Sequence, residues 1–222
     1  MSDRGDLANA AEAHARTCFD VRLVSRHARN ERRVPDRAAS VLGSGEIDFL
    51  LNYLAPMIVP RRLLDWARRD AINFHPAPPA WPGIGSASYA LYRGDHEFGA
   101  TAHRMTEQID AGEIVDVVTF PIDSKDGCDA LFERALQATL PLFRRVCDAL
   151  ARHGAIDASG DRWARPAIGR AEFERWMTLS PHDPPDEIAR KVRALKHPRF
   201  PGPFFEIDGV RVPVEAVRSQ HD

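Results

Sequence analysis

The stretch AINFH, residues 71–75, carries two polar side chains of types that could do acid–base chemistry. Asn73 and His75 are two positions apart, and such residues of a β-strand point to the same face. A side-chain amide can donate a hydrogen bond to a developing oxyanion. An imidazole titrates near neutral pH and can exchange a proton. Taken alone, an Asn-x-His pair at a strand end is more often a cap or a packed core arrangement.

Two further stretches could complete such a site. The segment TEQIDAGEI, residues 106–114, supplies Asp110 between two predicted strands, where a lone aspartate is more often a turn residue. The loop after His75, PAPPAWPGIG, is stiffened by its prolines, and Gly83 permits a tight turn. We expect this loop to form a rigid wall beside the polar pair.

The strands that must position these residues alternate with helices along the chain. Apolar runs predict strands, and amphipathic runs bounded by proline or glycine predict helices. Helices are predicted at 6–18, 60–69, 86–94 and 128–154, and strands at 19–27, 47–55, 71–75, 98–109 and 112–122. This alternation indicates an α/β fold of the Rossmann-like type, a mostly parallel open sheet with helices on both faces.

The sequence changes character after Gly154. A loop-rich segment is followed by short helices and by a β-hairpin with Asp208-Gly209 at its turn. We therefore divide the chain into a catalytic domain, residues 1–154, and a small C-terminal α+β subdomain, residues 155–222. The N-terminus looks like the turn and first helix of the fold without the first strand. Either the start codon lies further upstream, or the sheet lacks that strand.

Composition and charge argue against several classes of protein. The chain has 30 basic and 32 acidic residues, a net charge of −2 that gives no electrostatic case for nucleic acid or an anionic membrane. No apolar run approaches the roughly 20 residues of a membrane span, and no apolar signal segment is present, so we expect a cytoplasmic protein. The three cysteines lack CxxC spacing and the nine histidines lack HExxH or HxH spacing, so no metal site is expected.

The segment from residue 72 to residue 115 resembles the folate-dependent formyltransferase family. That family has Asn-x-His followed by Pro, an aromatic residue and Gly, then a Gly-x-Thr-x-His strand, then Asp-x-Gly. The matching residues are Asn73, His75, Pro79, Trp81, Gly83, Gly99, Thr101, His103, Asp110 and Gly112. The resemblance is closest over residues 47–122. The family's usual Ser-Leu-Leu after the histidine is replaced here by Ala-Pro-Pro.

The resemblance implies a reaction and a set of site residues. N10-formyltetrahydrofolate would be the co-substrate and a primary amine the acceptor, with no metal. Asn73 and His75 would stabilise the tetrahedral intermediate, and Asp110 would set the charge state of His75 and help to take the amine proton. Folate contacts are expected from Pro56, Met57, Ile58, Val59 and Ile109, and acceptor contacts from Pro79, Trp81, Gly83, Phe204 and Phe205.

The size of the chain and its compact tail favour one acceptor, the amino group of a nucleotide-linked amino sugar. Phe204 or Phe205 would stack on the base in this interpretation, although both could instead be hairpin core. Residues 151–222 hold 12 basic and 11 acidic residues, which disfavours initiator methionyl-tRNA. Glycinamide ribonucleotide, a natural-product or siderophore amine, and a truncated non-catalytic relative that binds a nucleotide or a partner stay open. Exposed sheet edges would permit a homodimer.

Overall fold

Helices and strands alternate through the computed structural model, which describes residues 4–26, 47–198, 202–207 and 209–214. The first part of the chain forms α1 (Arg4–Cys18), β1 (Ile47–Tyr53), α2 (Arg61–Leu64), β2 (Ala67–His75), α3 (Ser86–Arg93), β3 (Glu97–Arg104), β4 (Ile114–Pro121) and α4 (Cys128–His153). The second part forms α5 (Arg170–Met177), β5 (Thr178–Leu179), α6 (Pro185–Leu195), β6 (Phe204–Ile207) and β7 (Val210–Pro213). None of the helices within these ranges has the length and apolar character of a membrane span.

The main sheet has the strand order β1-β2-β3-β4. This arrangement confirms the open, Rossmann-like α/β sheet with helices on its faces. Its pairing differs from the expectation, because β1–β2 is parallel whereas β2–β3 and β3–β4 are antiparallel. The described sheet is therefore mixed rather than mostly parallel. The short connection 105–113 reverses the chain between β3 and β4, and a connection of that length joins antiparallel strands.

Two predicted elements differ from those observed near the outer edge of the sheet. The predicted helix 60–69 stops at Leu64, because β2 already begins at Ala67. The predicted strand 19–27 is wrong over its described part, since residues 20–26 form no strand. A strand needs a neighbour for its backbone groups, and in the described residues β1 pairs only with β2. A cleft of about 1030 Å³ lies between residues 20–26 and β1 instead.

The side chains of β2 divide between the two faces of the sheet. Ile72 and Phe74 are almost fully buried and pack in one apolar cluster with Phe143 of α4. The ring centroids of Phe74 and Phe143 lie 4.9 Å apart. The strand period of two residues then places Asn73 and His75 together on the opposite face. The predicted shared face of this polar pair is consistent with that packing.

The C-terminal residues form a second, three-stranded sheet, in which β6 pairs with both β5 and β7. The predicted hairpin is confirmed as β6–β7, with Gly209 at a positive φ of 77°, while Asp208 lies outside the described residues. The segment 155–169 lies along the proline-rich loop, where Ile84 N donates to Ile168 O at 3.0 Å. The division of the chain at residue 154 stays a prediction.

Candidate active site

Asn73, His75 and Asp110 meet in one polar network between β2, β3 and the connection that follows β3. Nδ1 of His75 lies 3.2 Å from Oδ2 of Asp110. His103 joins the two halves of the network, since its Nε2 lies 3.0 Å from Asn73 Nδ2 and 3.3 Å from Asp110 Oδ1. His75, His103 and Asp110 are each less than one-tenth exposed. Residues 37 positions apart in the sequence, Asn73 and Asp110, are thus placed around the same small volume.

Asp110 is held in place by backbone geometry. Its φ is 43°, in the left-handed region that aspartate tolerates better than most residues. The backbone N–H of Gly83 donates to Oδ2 of Asp110 at 2.8 Å. Gly83 itself has a φ of 88°, and a Cβ at this position would lie 2.3 Å from the carbonyl oxygen of Ile168. A glycine is therefore required where the proline-rich loop contacts the carboxylate.

Burial and neighbouring charges together lower the pKa values of both His75 and Asp110. Burial lowers the pKa of His75 below its usual value, against the attraction of Asp110. Burial of Asp110 opposes its ionisation, but His75, His103 and the Gly83 N–H together outweigh it and lower the pKa of that carboxyl. At neutral pH the site therefore holds an ionised Asp110 beside a neutral His75.

The neutral His75 ring faces two hydrogen-bond acceptors. Nε2 lies 3.1 Å from the carbonyl oxygen of Trp81, and Nδ1 faces the Asp110 carboxylate. A neutral imidazole carries one N–H and can satisfy one acceptor, whereas an imidazolium carries two and satisfies both. The two acceptors would therefore stabilise an imidazolium, while burial keeps the pKa of His75 below its usual value.

His103 and Asn52 belong to the network although they are outside the predicted site set. Asn73 and His103 are direct partners across the antiparallel β2–β3 ladder, and His103 Nδ1 donates to the carbonyl of Arg104 at 2.9 Å. Asn52 Nδ2 donates to Asn73 Oδ1 at 2.8 Å. A sequence signal exists for Asn52, because an amide within the apolar run IDFLLNYLA needs a buried partner.

Trp163 is the other site residue that the sequence analysis missed. Its ring centroid lies 5.1 Å from that of His103 and 6.0 Å from that of His75. Its Nε1 donates to the carbonyl of Gly112 at 2.7 Å, which fixes the indole against the turn that carries Asp110. Trp163 lies in the loop-rich segment that follows Gly154, and a single tryptophan in a polar loop gives no sequence signal of this placement.

The residues predicted to contact folate lie at the end of β1 and beside Asp110. Pro56, Met57 and Val59 line the 1030 Å³ cleft, which also reaches Asn52. Ile58 and Ile109 are 63% and 50% exposed, so each offers apolar surface that a ligand could cover. Their role in binding stays a prediction.

The residues predicted to contact the acceptor are placed in different ways. Gly83 and Trp81 reach the site through backbone groups, while the Trp81 side chain is buried and donates to Asp95 at 2.6 Å. The carbonyl of Pro79 accepts a hydrogen bond from Ala164 N at 3.1 Å. Phe204 is 7% exposed and packs in an apolar cluster with two residues of α5 and α6, whereas Phe205 is half-buried. Packing therefore accounts for Phe204, and a stacking role stays a prediction for Phe205.

Comparisons with known proteins find relatives of this chain in both sequence and fold. A methionyl-tRNA formyltransferase from Anaplasma marginale (strain St. Maries) is 32% identical over 189 residues, which cover 81% of this chain and 60% of that enzyme. The fold is similar to that of a sugar N-formyltransferase from Shewanella sp., with a TM-score of 0.67 and 20% identity over 83% of this chain and 74% of the other. It is also similar to an N-formyltransferase from Helicobacter canadensis in complex with folinic acid and dTDP-3-aminofucose, with a TM-score of 0.55 and 18% identity over 72% and 59% of the two chains.

A comparison with protein families matches the part of the chain that contains the candidate site. The family model described as formyl transferase matches residues 7–146, which include Asn73, His75 and Asp110. The chain spans about three fifths of the length of the first curated relative it matches. With more than half of its residues matched by this model, the chain belongs to the formyl transferase family.

Proposed function

We propose that the protein transfers a formyl group from N10-formyltetrahydrofolate to the primary amine of a nucleotide-linked amino sugar. The observation that carries this proposal is the buried network of Asn73, His75 and Asp110. This network combines a hydrogen-bond donor for an oxyanion with a proton acceptor. The solved N-formyltransferase bound to folinic acid and dTDP-3-aminofucose supports both substrate classes for this fold. No metal enters the proposed reaction.

The folate donor would occupy the cleft beside the end of β1. The cleft measures about 1030 Å³, close to the upper end of the range of small-molecule sites. Its wall near Pro56, Met57 and Val59 is largely apolar, which suits a flat pterin ring. Leu54, at the entry to this loop, has a positive φ of 53°. Such strain in a non-glycine residue is consistent with a loop shaped for a ligand.

The reaction begins when the amine nitrogen attacks the formyl carbon. A C–N bond forms, and the formyl oxygen becomes an oxyanion. Asn73 Nδ2 carries two hydrogens, of which one is directed to His103 in the described geometry. The second hydrogen is available to donate to the oxyanion. Asn52 holds the other end of the amide, so the donor is already oriented before the charge develops.

Proton transfer completes the reaction without a net gain or loss of protons. The attacking amine loses a proton to the His75–Asp110 pair, and the imidazolium that forms is stabilised by Trp81 O and by the carboxylate. The intermediate then collapses, and the bond between the formyl carbon and N10 breaks. The pair returns the proton to N10 as tetrahydrofolate leaves. The products are the N-formyl sugar and tetrahydrofolate.

The test is a mass-spectrometric assay of the full chain with N10-formyltetrahydrofolate and a dTDP-linked 3-amino sugar. The expected result is a product heavier by one formyl group in place of the amine proton. The same sugar with its amine acetylated is the matched control and should give no product. Calorimetric binding of 5-formyltetrahydrofolate, a stable analogue of the donor, checks the folate site separately. If the chain binds the folate but formylates no amino sugar, the proposed acceptor is wrong and the proposed donor is still supported.

A second acceptor, initiator methionyl-tRNA, is favoured by one observation. The A. marginale relative that is 32% identical over 81% of this chain is a methionyl-tRNA formyltransferase. The same assay with methionyl-tRNA distinguishes the two. A higher kcat/KM for methionyl-tRNA than for the amino sugar would show that the tRNA is the preferred acceptor.

A further inference from the structure

Three side chains of metal-binding types meet where α1 packs on α4. His14 and Cys18 are four residues apart, so they lie on one face of α1, and Asp148 projects from α4. His14 Nε2 lies 2.9 Å from Asp148 Oδ1. Cys18 Sγ lies 3.6 Å from His14 Nε2 and 3.5 Å from Asp148 Oδ1. None of these three side chains belongs to the Asn73–His75–Asp110 network, although Cys18 also lines the 1030 Å³ cleft.

Two of the three separations match those of ligands around a tetrahedral metal ion. Bonds of about 2.3 Å to sulfur and about 2.1 Å to nitrogen or oxygen, at tetrahedral angles, put ligand atoms about 3.4–3.6 Å apart. Both sulfur distances in the cluster already have this length. The His14–Asp148 distance of 2.9 Å would need to lengthen by about 0.5 Å to reach it. Asp148 is half exposed, so this change requires only a side-chain rotation at the surface.

We propose that the His14–Cys18–Asp148 cluster binds a divalent transition-metal ion of the Zn²⁺ class. Imidazole, thiolate and carboxylate together are ligands typical of Zn²⁺, whereas Mg²⁺ and Ca²⁺ prefer oxygen ligands alone. Three protein ligands leave the fourth tetrahedral position to water. The His14 side chain is 21% exposed and the Asp148 side chain 50% exposed, so an ion can enter from solvent.

A bound ion would link α1 to the core of the domain. Asp148 lies next to Cys147, which is buried in the same apolar cluster as Ala11 of α1. The ion would connect the C-terminal end of α1 to α4 at the point where the chain leaves the helix for residues 20–26. The cluster stands on its own geometry, so the proposal does not depend on the formyl-transfer reaction.

The test is a Co²⁺ titration of the full, chelator-treated chain, followed by absorption spectroscopy. We expect one equivalent to bind, with a thiolate-to-cobalt charge-transfer band in the near ultraviolet and strong ligand-field bands typical of tetrahedral Co²⁺. Zn²⁺ should remove these bands by displacement. Cys18→Ser should abolish the charge-transfer band. His14→Gln and Asp148→Asn should each weaken binding about tenfold or more, because the loss of a direct ligand should cost at least as much as the loss of a supporting residue.

Two control variants distinguish this site from adventitious binding. Cys128→Ser changes a buried thiol that is bonded to Ser88 instead, and His153→Ala removes an exposed histidine of α4. Both should retain the wild-type Co²⁺ spectrum, and circular dichroism should confirm that all variants are folded. Absence of a charge-transfer band in the wild type, or its persistence in Cys18→Ser, would show that the three side chains only make hydrogen bonds. A rise in melting temperature with Zn²⁺ in the wild type and in Cys128→Ser, but not in Cys18→Ser, provides a second measurement.

Discussion

Both ends of the Asn73 amide have partners, Asn52 at its oxygen and His103 at its nitrogen. We expect Asn73→Ala to lower kcat by about 10²–10³-fold, because an oriented oxyanion donor typically contributes that much. The affinity for 5-formyltetrahydrofolate should change little, as measured by calorimetry. Asn52→Ala should give a smaller loss, because Asn52 acts only by orienting Asn73. Unchanged kcat in Asn73→Ala would exclude the oxyanion role.

Asp110 offers a test through pH dependence. Its carboxylate raises the pKa of His75, while burial lowers that pKa below 6.5. If turnover needs neutral His75, kcat/KM of the wild type should fall as the pH drops through a value below 6.5. Asp110→Asn preserves the shape of the side chain and tolerates the φ of 43°, but it removes the charge.

The variant should therefore have two separate effects. Its maximal turnover should fall sharply, because the imidazolium loses its partner. The acid limb of its pH profile should move to lower pH, because the attraction that raised the pKa of His75 is gone. An acid limb that moves to higher pH, or a large loss of folate affinity with normal turnover, would show that Asp110 serves binding or structure instead.

The residues of the site differ in how far the sequence could predict them. The shared face of Asn73 and His75 follows from strand periodicity alone. His103 depends on the register between β2 and β3, which places it opposite Asn73. Local sequence does not determine that register. Trp163 depends on the course of residues 155–169 across the loop, a tertiary contact with no local pattern. The missed residues are thus those that reach the site through long-range contacts.

At the scale of elements, the proline-rich loop, residues 76–85, is held by the segment that follows α4. Ile168 both donates to Pro82 O and accepts from Ile84 N, each at 3.0 Å. Gly83, between those two residues, directs its N–H to Asp110. The loop, the segment that follows α4 and the Asp110 carboxylate are therefore coupled through a single glycine. The sequence predicts the stiffness of this loop from its prolines, but not the segment that covers it.

Gly83→Ala tests this coupling, and Gly160→Ala is its matched control. Both glycines have a φ near +88°, so the backbone strain of an alanine, about 1 kcal/mol, should be similar. Only at Gly83 would the added Cβ clash, since no atom lies within 4 Å of the corresponding position at Gly160. We expect Gly83→Ala to lower the free energy of unfolding by about 1–3 kcal/mol more than the control. Urea denaturation measures this difference.

Activity should distinguish the same two variants. Gly83→Ala should lose formyl transfer, because a shift of the loop moves the N–H away from Asp110. Gly160→Ala should keep it, because residue 160 makes no contact of this kind. Equal stability and activity in the two variants would mean that the Gly83–Ile168 contact does not position the carboxylate.

At the scale of the molecule, the strand directions explain why the fold could be predicted only in outline. Alternating helices and strands predict a layered α/β architecture, and the long amphipathic α4 against the sheet agrees with it. The same alternation does not predict the direction of the next strand. A strand is parallel to the previous one only if the helix between them returns the chain to the edge where the previous strand began. Here α3 does not, so β3 runs antiparallel to β2. Among the described residues β1 pairs only with β2, so residues 20–26 do not join the sheet as the alternation of apolar and polar residues predicts.

The charge of the whole molecule leads to a prediction about its acceptor. The net charge is −2, and residues 151–222 hold 12 basic and 11 acidic residues, so no basic surface is expected to follow a nucleic-acid backbone. For a nucleotide sugar, kcat/KM should change by less than about threefold between about 50 and 200 mM salt, since few phosphates are bound. A tRNA acceptor with 6–10 phosphate contacts would lose about 10³–10⁵-fold in affinity over the same range. Initial rates at several salt concentrations, with bulk tRNA as a competitor, measure the difference. A steep salt dependence together with inhibition by bulk tRNA would mean that the acceptor is a polyanion. The protein would then have a local basic surface despite its small net charge.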